Sequence, residues 1–201
     1  MPALADDNLI ELAKRYAAKA GVPASLVYAM IMSESTGHPD AVNNRTGAKG
    51  LMQLMGPAAS EQGFTHEDMA NPEKNVEAGA GYLARMLKLF EGDPKRALSA
   101  YNVGPGNTRK VDGVAPKAQP YVDTVSGIID QVTQPGQPFA EELNPEATPV
   151  PDALHRQKLA KVLNDLLTQE PVEIPMRDKT RPQTYDEAGI MRMLSALDFN
   201  Q

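Results

Sequence analysis

Apolar residues recur at the three- and four-residue spacing of an α-helix in six segments of the first 132 residues, and period-two alternation is nowhere sustained. A helix of this kind buries one apolar stripe against its neighbours. The sequence therefore predicts a mainly α domain with little or no β structure. The predicted helices are 7–21, 23–35, 50–63 with a bend or break near Gly56 and Pro57, 71–90, 93–102 and 120–132.

A proline-rich stretch divides the chain. Residues 134–151 hold five prolines in eighteen residues, and proline cannot continue a helix because it lacks the amide N–H. Beyond it, 152–167 and 185–197 are amphipathic helices whose apolar stripes need a surface to cover them. We therefore predict a domain over 1–132, a linker over 133–151 and a helical tail over 152–201. The two tail helices pack on the domain, on each other or on a partner, and we favour docking on a partner.

Composition excludes several classes of function. The 201 residues contain no Cys and no Trp and carry a formal net charge of −6. Without Cys there is no disulfide scaffold, iron–sulfur cluster or thiolate nucleophile. Acidic charge and few aromatic residues argue against nucleic acid as a partner. The three histidines, His38, His66 and His155, lack the spacing of a metal site, so we expect no metal and no cofactor.

Two further absences concern membranes and export. No apolar run is long enough for a membrane span. The N-terminal residues lack the basic start and the apolar core of a secretory signal, so no signal peptide is expected.

The segment 31–55 contains the first candidate for chemistry. Glu34 ends an apolar helix beside Met30, Ile31 and Met32. Apolar surroundings disfavour the charged form of a carboxyl group and raise its pKa, which suits a general acid near neutral pH. The alternative is that Glu34 is a solvated residue at a helix end. Asp40, the nearest second carboxylate, is interpreted as a loop residue.

A second candidate lies in 97–110. Tyr101 and Asn102 end a helix, and Gly104-Pro105-Gly106 forms a sharp turn after them. Either these two side chains present hydrogen-bonding groups to a cleft, or they form a capped helix end with a packed tyrosine.

Ordered motifs decide between these alternatives. The chain contains, in this order, Glu-Ser, Gly-Leu-Met-Gln, Asn-x-x-x-Gly-x-x-Tyr-Leu, Ala-Tyr-Asn-x-Gly-Pro-Gly and Pro-Tyr-Val-Asp-Thr-Val. From about Asn8 to Val132 it resembles the lytic transglycosylase domain of the soluble type, which is related to goose-type lysozyme. The resemblance implies a lysozyme-like helical domain of the α+β superfamily and an enzyme that degrades cell walls. One departure is Gly37, where the family usually has Phe.

The resemblance also implies roles for residues. Glu34 is the implied single catalytic acid and base. Gln53 is implied to contact sugar, and Tyr101 and Asn102 to face the catalytic carboxylate from across the cleft. The implied substrate-binding residues are Ser35, Gly50, Leu51, Met52, Gln53, Tyr82, Tyr101 and Asn102.

The implied reaction is cleavage of the MurNAc-β-1,4-GlcNAc bond of peptidoglycan. Glu34 protonates the glycosidic oxygen, and the 2-acetamido carbonyl of the substrate stabilises the charge at C1. Glu34 then takes the proton of the C6 hydroxyl, which attacks C1 and leaves a 1,6-anhydro-MurNAc end. Most glycoside hydrolases use two carboxylates instead. The alternatives are a hydrolytic muramidase, which needs a second carboxylate to activate water, and a non-catalytic virion structural or injection protein that retains the fold.

The substrate lies outside the cytoplasmic membrane, although no export signal is visible. We therefore expect a bacteriophage virion protein that acts in the host periplasm during phage entry. The other expectation is periplasmic delivery without a signal peptide, for the assembly of an envelope-spanning machine. The expected partners are peptidoglycan glycan strands and, through 152–201, virion or secretion-machine proteins.

Overall fold

The protein is mainly helical in the part that the structure, a computed structural model, describes, namely residues 6–143 and 153–168. Within these ranges the β pairings are the isolated antiparallel bridges Val42–Lys49 and Lys49–Leu54. The expectation of a mainly α fold with little β structure is therefore confirmed. The helices are α1 Asp6–Ala20, α2 Ala24–Ser35, α3 Gly56–Glu61, α4 Pro72–Leu89, α5 Pro94–Val103, α6 Pro105–Thr108, α7 Gln119–Val132 and α8 Ala153–Leu167, with 3₁₀ turns at Glu67–Ala70 and Ala140–Leu143.

Helix α2 forms the centre of the fold. All of its twelve residues except Glu34 are buried, and it packs against α1 and α7. A helix that is apolar on every side is stable only when other elements surround it. Glu34 is thus the one residue of the central helix that keeps partial access to solvent. None of the helices in the described ranges has the length and apolar character to cross a membrane.

The segment 50–63 differs from the sequence prediction. Residues 50–54 form turns and a β-bridge, and helix α3 begins only at Gly56. Pro57 lies in the first turn of α3, where the missing N–H has no helical partner to lose. The predicted bend is therefore the start of a helix.

The first part of the proline-rich stretch lies on the domain. Phe139 is buried, and its ring packs against Tyr28 of α2 with centroids 5.4 Å apart. The Glu142 carboxylate accepts hydrogen bonds from the backbone N–H groups of Ala24, at 2.7 Å, and Ser25, at 3.0 Å. Helix α2 has Pro23 at its N-cap and no side-chain cap of its own. Glu142 therefore satisfies the first N–H groups of the central helix from a distant part of the chain.

Helix α8 corresponds to the first predicted tail helix. Leu163 and Leu166 are buried, and α8 contacts α5 and α7. Its apolar stripe is thus covered by this chain itself, and the described residues belong to one compact unit. The second predicted tail helix, 185–197, lies outside the described residues. The domain boundaries after 132 and 151 stay predictions.

Candidate active site

Glu34 lies in the last turn of α2, next to tyrosines of two other helices. Burial raises the pKa of its carboxyl to about 7, and a hydrogen bond from the Tyr121 hydroxyl of α7 lowers the pKa in part. The negative charge of Glu34 in turn affects the phenol of Tyr101 on α5. Because the effect of burial is the larger one, the carboxyl is partly protonated near neutral pH. Such a group can both donate and accept a proton under the same conditions.

The chain leaves α2 through a left-handed turn directly after Glu34 and Ser35. Thr36 has φ 49° and donates its N–H to the Met32 carbonyl at 3.1 Å. Gly37 follows with φ 76°. Glycine adopts this conformation at little steric cost, whereas a bulky residue does not. The local backbone thus accounts for glycine at position 37, where the resembled family usually has Phe.

Ser35 is buried at the end of α2. Its hydroxyl donates to the Ile31 carbonyl, one turn earlier, at 3.1 Å. In this conformation the hydroxyl is hydrogen-bonded within α2. The contact of Ser35 with substrate stays a prediction.

The Gly-Leu-Met-Gln segment is held in place by Asn75 of α4, which is fully buried. The Asn75 amide accepts from the Met52 N–H at 2.7 Å. It donates to the carbonyls of Lys49, at 2.9 Å, and Met69, at 3.0 Å. Gly50 has φ +76°, and a Cβ atom there would lie 2.3 Å from Asn75 Nδ2. Glycine is therefore required at position 50 so that the segment can approach α4.

The side chains of Leu51 and Met52, predicted to line a cleft, lie in the core. Both are fully buried, so a substrate can meet only their backbone groups. Met52 packs against Gly79 of α4, where a Cβ atom would lie 2.3 Å from the Met52 sulfur. Glycine at position 79 thus allows the Met52 side chain to pack closely against α4.

Gln53 has an unusual backbone conformation for a residue other than glycine, with φ 46°. Its side-chain Nε2 donates to the carbonyls of Ala41, at 3.0 Å, and Gly50, at 2.9 Å. The amide thus joins two parts of the loop, and a sugar contact, which stays a prediction, would use the side-chain carbonyl oxygen.

Two further tyrosines lie beside this loop. The rings of Tyr82 on α4 and Tyr101 on α5 are 5.4 Å apart in an edge-to-face arrangement. The Tyr101 hydroxyl donates to the Met52 carbonyl at 2.9 Å. Burial first, and then the charge of Glu34, raises the pKa of Tyr101 well above its usual value, so the phenol stays neutral. Asn102, the next residue of α5, is exposed.

Sequence reasoning missed Tyr121. The motif that contains it was noted, but no role was assigned to it. The signal was available: Tyr121 is part of the buried stripe of α7 with Val122 and Val125, and a buried tyrosine hydroxyl usually needs a polar partner.

Glu34 is the candidate catalytic carboxylate, and within the described part of the chain no second one is found to act on it. Among the described residues, no acidic side chain contributes to the pKa of Glu34. Asp40 is exposed in the loop that follows α2, in agreement with its interpretation as a loop residue. In the same part of the chain, no group of three or more acidic or histidine side chains is arranged to hold a metal ion.

A helical domain with one partly protonated carboxyl among tyrosine hydroxyls has the elements of a general acid–base catalyst. Comparison with known families assigns the domain: the sequence model of the Transglycosylase SLT domain matches residues 11–122, and the chain belongs to this family.

Two curated relatives are lytic murein transglycosylases. The chain is 36% identical over 110 residues to membrane-bound lytic murein transglycosylase F of Desulfosudis oleivorans, which covers 52% of this chain and 24% of the relative. It is 32% identical over 107 residues to the soluble lytic murein transglycosylase of Escherichia coli K12, covering 49% and 16% respectively. The chain thus spans a quarter or less of the length of these relatives.

The chain also matches a solved structure, that of an inactive mutant of the lytic transglycosylase Slt from Pseudomonas aeruginosa. The superposition has a TM-score of 0.48 at 26% sequence identity, and it covers 78% of this chain and 23% of that one.

Proposed function

We propose that this protein is a peptidoglycan lytic transglycosylase, which cleaves the MurNAc-β-1,4-GlcNAc bond and leaves a 1,6-anhydro-MurNAc end. The observation that carries the proposal is the carboxyl of Glu34, which lies half-buried at the end of the central helix, where desolvation raises its pKa to about 7. Membership of the SLT family and the names of the relatives support the same reaction.

Glu34 acts twice in the proposed reaction. In its protonated form it donates its proton to the glycosidic oxygen, and the bond from this oxygen to C1 breaks while the 2-acetamido carbonyl stabilises C1. The ionised carboxylate then takes the proton of the C6 hydroxyl as O6 bonds to C1. No water is consumed, and Glu34 ends in the protonated form in which it began.

The neighbouring tyrosines suit both halves of this cycle. The Tyr121 hydroxyl donates to the Glu34 carboxyl and so stabilises the ionised form, which exists between the two proton transfers. Tyr101 stays neutral because burial and the charge of Glu34 raise its pKa, and its hydroxyl orients the Met52 carbonyl. Tyr101 therefore does not compete with Glu34 as the acid at neutral pH.

No acidic side chain of the described residues affects the pKa of Glu34, which favours this reaction over hydrolysis. A hydrolytic muramidase of the goose-lysozyme type needs a base that activates water. A module that only binds glycan gains nothing from a buried carboxyl group, whose ionisation opposes folding.

We also propose that the protein opens the cell wall locally, either as a phage virion component in the host periplasm or beside an envelope-spanning machine. The support is chemical, since peptidoglycan lies outside the cytoplasmic membrane. The stripe of α8 is covered by this chain, so the apolar pattern of 185–197 is the candidate for partner binding within 152–201. A chain that ends at residue 168 should lose the partner in co-sedimentation with virions or envelope fractions, and equal retention would contradict this.

The test of the catalytic proposal is Glu34→Gln. The substitution keeps the shape of the side chain but removes the transferable proton, so we expect release of fragments from purified sacculi to fall by about 10²–10⁴-fold. Glu11→Gln, an exposed carboxylate on α1, is the matched control and should keep full activity. Turnover that persists in Glu34→Gln would contradict the proposal.

A further inference from the structure

A chain of buried hydroxyl groups joins α5 to the loop that precedes α7. The Ala115 N–H donates to Ser99 Oγ at 3.0 Å, and Ser99 Oγ lies 2.9 Å from Thr108 Oγ1. Thr108 Oγ1 in turn donates to the Gly104 carbonyl at 3.4 Å. Ser99 and Thr108 are both fully buried. The bonds of Ser99 to Ala115 and Thr108 are thus buried, and each group in the chain has a partner.

The two ends of this chain lead to the tyrosines of the site. Ser99 stands two residues before Tyr101 on α5. On the other side, the Ala115 carbonyl accepts from the Ala118 N–H at 2.7 Å, and the Ala118 carbonyl accepts from the Val122 N–H at 3.0 Å. Ala115 is therefore hydrogen-bonded to the N-cap residue of α7, the helix that carries Tyr121.

The other ties between the loop and α5 lie at the end of that helix. Asn107 Nδ2 donates to the Val103 carbonyl at 2.7 Å, and the N–H groups of Asn107 and Thr108 donate to the Gly104 carbonyl. Gly104 and Gly113 both have positive φ angles, and neither carries a side chain that could anchor the loop. The bonds of the Ser99 hydroxyl to Thr108 and Ala115 are buried, whereas the bond from Asn107 is exposed, so Ser99 is the tie on the buried face of α5.

We propose that Ser99 is a positioning residue, which fixes Tyr101 and Tyr121 relative to each other beside Glu34. The proposal rests on the proposed function, in which these tyrosines surround the acid. Without the Ser99 hydroxyl, the Ala115 N–H loses its buried acceptor, and the loop must shift to find another. That shift moves the start of α7, and Tyr121 with it, away from the Glu34 carboxyl.

The consequence is a change in the titration of Glu34. In the described residues, the titratable groups coupled to Glu34 are Tyr121, which donates to it, and Tyr101, which feels its charge and that of Tyr82. The bond from Tyr121 stabilises the ionised carboxyl. Weakening this bond therefore raises the pKa of Glu34 further.

The test is Ser99→Ala in the full chain, with Glu34 titrated by NMR in protein labelled with ¹³C at the glutamate carboxyl. Its signal is assigned with Glu34→Gln. We expect the pKa of Glu34 to rise by about 0.5–1 unit, the size of one lost hydrogen bond. We also expect kcat on glycan to fall by about 10- to 100-fold with KM little changed. Ser25→Ala, which removes a buried hydroxyl without a partner in the described structure, should change neither.

Substitutions at Thr108 provide the second test. Thr108→Val keeps the shape but removes the hydroxyl, and it should shift the pKa of Glu34 in the same direction, whereas Thr108→Ser should leave it unchanged. If Ser99→Ala fails to fold, the comparison of Thr108→Val with Thr108→Ser tests the proposal in its place. An unshifted titration in folded Ser99→Ala and Thr108→Val, or an equal shift in Ser25→Ala, would overturn the proposal. The titration needs no turnover, so an inactive wild-type protein would overturn the proposed function and not this inference.

Discussion

Burial of the Glu34 carboxyl ties the stability of the protein to pH. Its pKa is raised from 4.5 to about 7 in the folded state. The folded protein therefore binds this proton more tightly than the unfolded chain does. The contribution of Glu34 to stability is fully present below the unfolded pKa, and it is lost as pH rises through the folded value of about 7.

Glu34→Gln should remove this dependence, because glutamine carries no charge at any pH. We expect the free energy of unfolding of the variant, relative to the wild-type protein, to increase by on the order of 3 kcal/mol between about pH 4 and pH 8. Urea unfolding of both proteins at several pH values measures the difference. Parallel pH profiles would show that the carboxyl is solvated in the folded state.

Close packing at Gly79 is a second residue-scale feature that can be tested. A Cβ atom at this position would lie 2.3 Å from the Met52 sulfur, so Gly79→Ala must displace a fully buried side chain. We expect a loss of about 1–3 kcal/mol in the free energy of unfolding. Gly127→Ala on α7, where no atom lies within 4 Å of the added carbon, should instead gain about 0.5–1 kcal/mol. Equal effects of the two substitutions would contradict the packing described for Met52.

At the scale of elements, the central helix depends on a cap from outside the segment that matches the family. The family match ends at residue 122, whereas Glu142 accepts the first two N–H groups of α2. A carboxylate in this position also interacts favourably with the helix dipole. The part of the chain after the family match is therefore involved in holding the helix that carries Glu34.

Glu142→Ala should lower the free energy of unfolding by about 1–2 kcal/mol, because two buried N–H groups lose a charged acceptor. Glu141→Ala, the exposed neighbour in the same 3₁₀ turn, should change stability by less than about 0.5 kcal/mol. Thermal or urea unfolding of the two variants gives the comparison. If Glu141→Ala lowered the free energy of unfolding as much as Glu142→Ala does, the hydrogen bonds of Glu142 to α2 would contribute nothing to stability.

The sequence predicted most helices because their apolar stripes are local and regular. It placed a helix over 50–54 wrongly, since the bonds from Asn75 that hold this segment come from another helix. The short helix α6 and the 3₁₀ turns contain too few residues for a period to show. Local patterns cannot reveal an interaction that depends on tertiary packing.

The same limit applies to the site. Glu34 and Tyr101 were predicted from their motifs, and the structure brings them together. The motif around Leu51 could not show that its side chain points into the core. The bond between Tyr121 and Glu34 depends on how α7 packs against α2, which no local spacing encodes.

At the scale of the whole molecule, the described parts form one compact helical unit. In it, α8 contacts α5, which carries Tyr101, α7, which carries Tyr121, and the 3₁₀ turn of the proline-rich segment. All residues assigned to catalysis precede residue 122. The segments beyond them stabilise the unit through Phe139, Glu142 and the leucines of α8. The proposed chemistry thus depends on one carboxyl, and the rest of the described structure determines its surroundings.

Mass spectrometry of the fragments released from purified sacculi tests the central claim most directly. A reaction in which Glu34 serves as both acid and base, without a second carboxylate, transfers the C6 hydroxyl and not water to C1. The account predicts fragments that end in 1,6-anhydro-MurNAc, each lighter by one water than the hydrolysed form, and their absence with Glu34→Gln. Fragments that end mainly in reducing MurNAc would contradict the account and show that the protein is a hydrolytic muramidase.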